Sequence, residues 1–149
     1  AMAKLGLLPT KRQRDSIRAA RDNLVRQGLL RYDNDKLRLT ALGERKLSLL
    51  RGTEHAFSKP RKWDKRWRVL IFDIPEKQRG TREKIRRTLA HVGFMRLQDS
   101  VWVLPYDCED FITLLKADLK IGKDMLYMIV DLIEYDAPIR AYFGLPDAD

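Results

Sequence analysis

A single aspartate breaks an otherwise apolar run. Asp73 falls near the end of residues 67–74 (WRVLIFDI), just before Pro75-Glu76, which stops the run. A carboxylate in that setting is desolvated by its neighbours unless a cation, a donor or water compensates. Two roles fit: a structural aspartate capping the turn at Pro75-Glu76, or a ligand for Mg²⁺. The ion takes one or two carboxylates together with waters and phosphate oxygens. One Asp73 is therefore a poor site, and two copies meeting across a symmetric dimer would meet the requirement. A phosphodiesterase built that way would use the metal to activate water and to clamp the phosphodiester.

The other reactive side chains lack company. His91 stands at a helix end, where it can cap carbonyls, and His55 has no visible partner. Cys108 follows Asp107 at a helix start, a position that could lower a thiol pKa, yet no acid–base partner is identifiable and it reads as structural. One Cys and two His exclude a disulfide framework and a structural zinc site. There is no Walker A run, no glycine-rich dinucleotide fingerprint and no arguable Ser/His/Asp triad. Trp63, Trp67 and Trp102 could stack on bases, but Trp67 and Trp102 read as packing residues.

Charge carries the stronger signal. The 149 residues hold 30 Lys+Arg against 21 Asp+Glu, a net charge of +9 that suits a polyanionic partner. Residues 1–65 carry 17 basic and 7 acidic side chains, residues 66–96 carry 9 and 3, and residues 97–149 carry 4 and 11. Segregation on this scale points to units with separate electrostatic tasks. Hydrophobic residues at 44% suffice for a buried core. No run approaches the ~20 apolar residues of a membrane span, and no charged-then-apolar leader is visible. The expected setting is cytoplasmic, with no membrane partner.

The elements that must position these residues follow from periodicity. Ala1–Ala3 read as a cloning remnant. Residues 10–27 predict a helix, with Thr10 and Gln13 spaced as a capping box and Gly28 as the stop. Ile17, Ala20, Leu24 and Val25 make one narrow apolar stripe, and Lys11, Arg12, Arg14, Arg18, Arg21 and Arg26 cover much of the rest. Two short strands around Asp33-Asn34-Asp35 follow, bearing Lys36 and Arg38, then a helix capped by Thr40 with Leu42, Leu47 and Leu50. Helix, glycine, basic hairpin and helix make the back half of a winged helix-turn-helix, whose first helix here would enter the major groove while the hairpin touches the flanking backbone. The module is expected to be truncated at its start. Residues 53–65 read as a basic linker.

Residues 66–149 predict the order β-α-β-β-α-β: a strand at 67–74, a helix at 81–92 ended by Gly93, strands at 94–98 and 100–104, a helix capped by Asp107 and running to about residue 120, and a strand at 126–133. Phe111, Leu114, Leu115 and Leu119 are its inward residues. The fold class is α+β: a partial winged helix-turn-helix (1–52), the linker, and a ferredoxin-like domain (66–149).

The stretches VLIFDIPEKQRGTREKIRRTL, GFMRLQDSVWV and YMIVDLIE resemble the small CRISPR-associated endonuclease of the spacer-integration complex (Cas-two) and, equally, the central domain of PaaX-type transcriptional repressors. KWDKRW, SVWV and the upstream LGLLPTKRQRDSIRAARDNLVRQGLLRY…LTALGERKL lean toward the PaaX side. The resemblance implies a metal-binding role for Asp73, a role in nuclease activity for Arg82, and a strand motif of Arg96, Gln98, Ser100 and Trp102. It also implies two domains pairing through their sheets, with the aspartates facing each other. Phe72 stands where nuclease members often carry Tyr, Gly80 and Thr81 interrupt the basic run, and the acyl-CoA effector pocket of PaaX repressors is not expected within residues 1–149.

The leading expectation is a homodimeric regulator of double-stranded DNA, read by Lys11, Arg12, Arg14, Arg18, Arg21, Lys36 and Arg38. The alternatives are a Mg²⁺-dependent endonuclease using Asp73, Arg82 and Arg96, or a non-catalytic partner of a CRISPR integrase gripping DNA on Arg82, Arg86 and Arg87.

Overall fold

The structure, a computed structural model, describes residues 11–57 and 62–148, with the side chains of the first helix described from Ile17 onward. Helix α1 (Lys11–Arg26) ends where Gly28 takes φ +77°. The amide of Gly28 donates to the Val25 carbonyl (3.0 Å) and that of Leu29 to the Leu24 carbonyl (2.9 Å), the paired bonds of a Schellman stop that only a residue tolerant of positive φ makes cheaply. The capping box expected at Thr10, and residues 1–3, lie outside the described residues. Strands β1 (Leu30–Asp33) and β2 (Lys36–Leu39) pair antiparallel through a two-residue turn. Asn34 and Asp35 both adopt positive φ there, the primed turn that matches strand twist.

Helix α2 (Ala41–Arg51) begins at Thr40, whose Oγ1 accepts from the Gly43 amide (3.1 Å) and donates to the Gly28 carbonyl (2.5 Å). One hydroxyl thus joins the end of α1 to the start of α2. Gly43 is there for space: a Cβ would collide with the Leu29 carbonyl oxygen.

Strand β3 (Trp67–Phe72), helix α3 (Arg79–Val92), β4 (Met95–Gln98), β5 (Val101–Leu104), helix α4 (Glu109–Leu119) and β6 (Met125–Val130) follow, then helix α5 (Ala137–Phe143). The sheet order is β4-β5-β3-β6, antiparallel throughout. The chain is thus α+β, and the βαββαβ order expected from the sequence is present. Its boundaries differ in places. β3 stops at Phe72 rather than residue 74, because the chain turns into a 3₁₀ segment at Glu76–Gln78 that feeds α3 two residues earlier than expected. β6 ends at Val130 rather than residue 133, and the tail forms α5. No helix among the described residues is long and apolar enough to cross a membrane.

Alternation on β3 sends Leu70 and Phe72 to one face of the sheet and Trp67 and Val69 to the other. The first face packs under α3 and α4. Helix α4 buries side chains on more than one face, with Phe111, Ile112, Leu114 and Leu115 all buried. A helix of that kind must be covered on two sides. The sheet covers one, and α1, β2 and α2 pack against α4 as well. Leu24, Leu29, Leu30 and Leu47 therefore join Leu70, Ile85, Leu89 and Phe111 in one continuous core. Ile112, absent from the expected inward set, is buried for this reason.

The segment before β3 is also anchored. The His55 amide donates to the His91 carbonyl (3.0 Å), and Phe57 packs edge-on to Phe94 and Phe111 with centroids 6.3 and 5.4 Å away. On the second sheet face, Ile139 and Leu145 cover Trp67, Val69 and Val103. Further along that face Ile71 and Leu126 stand opposite each other in register and are exposed.

Candidate nucleic-acid interface

Two basic helices and a hairpin carry most of the residues singled out in the sequence. On α1, Arg18, Arg21 and Arg26 are exposed, while Leu24 on the opposite side is buried. Lys11, Arg12 and Arg14 belong to the same helix, but their side chains lie outside the described ones. On the hairpin, Lys36 is exposed; Arg38 is half-buried and its Nη1 donates to the Leu37 carbonyl (3.2 Å).

Helix α3 is different. Arg82 is held by Glu76 (Nη2–Oε2 2.9 Å) and Arg86 by Glu83 (Nη1–Oε1 2.8 Å), both arginines being half-buried, while Arg87 is exposed. Two of the five cations on this helix are thus matched locally, while Arg79, Lys84 and Arg87 are exposed.

Asp73 follows β3 immediately. Its amide donates to the Asp124 carbonyl (2.8 Å), which ties the strand end to the turn before β6. The expected desolvation is not found: the residue is exposed, since the strand ends at Phe72 and the chain leaves the sheet before Asp73, carrying its carboxylate out into water. Among the described residues no three His, Cys, Asp or Glu side chains gather as metal ligands. The described residues of one chain therefore do not assemble a set of metal ligands around Asp73, and no catalytic step is derived from it. Arg96 pairs with Asp99 (2.9 Å) and lies 5.8 Å from the centroid of the Trp102 ring, on the sheet rather than near Arg82's helix end. Gln98 is exposed, Ser100 half-buried, and its carbonyl accepts from the Phe72 amide (3.2 Å).

Trp67 and Trp102 are buried, as their packing role requires. Trp63 is half-buried, packs against Trp67 (centroids 4.8 Å apart) and carries the Arg140 guanidinium 4.9 Å from its centroid. Cys108 corrects the idea of a lowered thiol pKa. Burial pushes it up to about 12, against the smaller pull of the Tyr127 hydroxyl 4.0 Å away and the Arg68 charge. The helix start places the thiol inward, and an inward thiol stays protonated.

The residue the sequence reading missed is Arg68. It is buried on the helix side of β3, where its guanidinium makes a two-pronged pair with Asp64 (2.9 and 2.6 Å) and donates to the Pro105 carbonyl (2.9 Å). Burial opposes ionisation of the Asp64 carboxyl, but the Arg68 hydrogen bonds and charge prevail and hold it below its ordinary value. Period-two alternation was the available signal: Arg68, Leu70 and Phe72 share a face, so an arginine there needs a buried acceptor.

These features define a class: an α+β protein in which a basic helix–hairpin–helix unit is packed onto the outer side of a βαββαβ domain. The family model described as the PaaX protein central Cas2-like domain matches residues 60–140, and the chain belongs to that family, as a PaaX-type protein with a Cas2-like domain. No curated protein and no solved structure matches.

Proposed function

We propose that this chain is a dimeric DNA-binding transcriptional regulator of the PaaX type. The observation that carries the reading is α1: a helix that buries Leu24 in the shared core, packs against α4, and presents Arg18, Arg21 and Arg26 on its exposed side, in a PaaX-type protein. In this reading α1 to α2 is a winged helix-turn-helix, in which α1 enters the major groove and Lys36 and Arg38 touch the flanking backbone. The Cas2-like domain pairs two copies. The apolar strip around Ile71 and Leu126, which α5 leaves open, supports such pairing through the sheets.

Selection from a random duplex pool tests the reading, followed by binding titrations at several salt concentrations. A preferred half-site repeated with two-fold symmetry is expected, and Arg18→Ala should relax preference at one base position by about 1–3 kcal/mol. Ile71→Asp should convert the dimer to a monomer in analytical ultracentrifugation and weaken binding to the paired site. A monomeric wild type with no affinity for any duplex at low salt would refute the proposal. Mg²⁺-dependent cleavage abolished by Asp73→Ala would replace it with the nuclease reading.

A further inference from the structure

A cleft of about 300 Å³ opens where the segment before β3, the strand itself and the turn from β5 into α4 meet. Phe57 and Tyr106 give it aromatic walls. Both rings are held from behind, Phe57 by Phe94 and Phe111, and Tyr106 by Phe143 at a centroid distance of 6.3 Å. Among the described residues, its charged lining is two cations, Lys62 and Arg68, and two carboxylates, Asp64 and Asp107. Aromatic walls with a few convergent polar groups are the make-up of a small-molecule site.

The fold leaves two of those polar groups incomplete. Arg68 is only 6% exposed, and its Nη1 and Nη2 are taken by Asp64 and by the Arg66 and Pro105 carbonyls. Its Nε is buried with no acceptor. An orphaned donor on a charged group costs stability until an oxygen reaches it. Asp107 accepts from the Glu109 amide through Oδ1 (3.1 Å), and no described side chain forms an ion pair with it. Burial presses its carboxyl toward the neutral form; the Arg68 charge resists, and the Asp64 charge adds to the pressure. A cation brought to Asp107 would relieve it.

We propose that this cleft binds a zwitterionic aromatic amino acid, its carboxylate on the Arg68 Nε and Lys62, its ammonium on Asp107 and its ring against Phe57 and Tyr106. The inference goes beyond the DNA-binding reading and does not depend on it. The two-and-two balance of the lining selects for separated charges of zero sum. A phosphate or nucleotide would set further negative charge against Asp64 and Asp107, and an apolar molecule would leave both incomplete groups as they are. Asp107 also lines the groove that holds Asn23 and Arg26 of α1, so the site lies where the two units of the chain meet.

The test is isothermal titration calorimetry of the full chain with L-tryptophan, L-tyrosine and L-phenylalanine. At least one should bind saturably, one per chain. The amine and the acid that each keep one end of it (tryptamine and indole-3-propionate for tryptophan) should bind about tenfold more weakly or worse. Asp107→Asn keeps an acceptor for the Glu109 amide, removes the charge, and should weaken binding about tenfold or more. Ala56→Leu fills part of the cleft without altering its charges and should abolish binding. Glu134→Gln, at an exposed acid beyond β6, should bind like the wild type. Thermal melts by circular dichroism establish that each variant is folded, and Ala56→Leu decides the matter if Asp107→Asn is not. No binding of any of the three amino acids at millimolar concentration overturns the proposal. So does binding that the folded variants leave unchanged, or one-ended analogues that bind as tightly as the amino acid.

Discussion

Helices α1 and α3 make an instructive pair. Both are basic, both are amphipathic, and both stop at a glycine with positive φ (Gly28 and Gly93). Arg82 and Arg86 of α3 differ from the described arginines of α1. On α3, Glu76 and Glu83 reach Arg82 and Arg86, leaving those guanidinia half-buried and neutralised. On α1, Arg18, Arg21 and Arg26 are exposed and make no ion pair with any described side chain. A count of basic residues ranks the two helices together, whereas the position of nearby acids separates them. On α1 none of the described arginines has an ion pair with a described side chain, although Arg26 shares a groove with Asp107, Glu109 and Asp110, while α3 still exposes Arg79, Lys84 and Arg87. Arg68 is the far extreme of the same series: a guanidinium enclosed in the fold and spent on holding Asp64 and the Pro105 carbonyl in place.

The contrast has a structural side that can be broken first. Because α1 and α2 share a core with α4, the amino-terminal unit should not unfold by itself. Leu47→Ala, in α2, is expected to cost about 2–5 kcal/mol, with the loss seen by tryptophan fluorescence in urea. Trp63, Trp67 and Trp102 all lie in the later part of the chain. A separate early transition by circular dichroism, with the fluorescence midpoint unmoved, would show two independent units.

The charge contrast comes next. Replacing Arg18 and Arg21 by Gln together should lower the salt slope of duplex binding by about two, while the matched pair Arg82 and Arg86 to Gln should change it by less than one, since their charges are already taken. Equal slopes for the two double variants would erase the distinction between the helices.

The smallest effect concerns the Arg68 clasp. The Asp64 carboxyl is held below its ordinary value in the folded chain, so it contributes stability that is fully present above its unfolded value near 4 and lost as pH falls through the folded one. Asp64→Asn should therefore flatten the acid limb of stability against pH. At neutral pH it should cost about 1 kcal/mol, at the lower end for a charged hydrogen bond because the carboxylate is half exposed. An unchanged acid limb would mean the pair contributes nothing.

Much of this was legible in the order of residues. The stripe on α1, the glycine stops, the Thr40 cap and the alternation of β3 are local patterns, and local geometry suffices to read them. The βαββαβ order followed from those same patterns. The burial of Ile112 was not legible, because α4 shows its second buried face only when α1 and α2 are laid against it. The exposure of Asp73 was missed because it depends on where β3 leaves the sheet.

By itself, the sequence determined the elements, the excess of cations in the first 65 residues and the membership of a PaaX-type family, since each depends on neighbours within a few turns or on a pattern along the chain. Tertiary structure decided which cations stay free. Coulomb and desolvation energies depend on separations and burial in space, and those are set only when α4 is enclosed between the sheet and the amino-terminal helices.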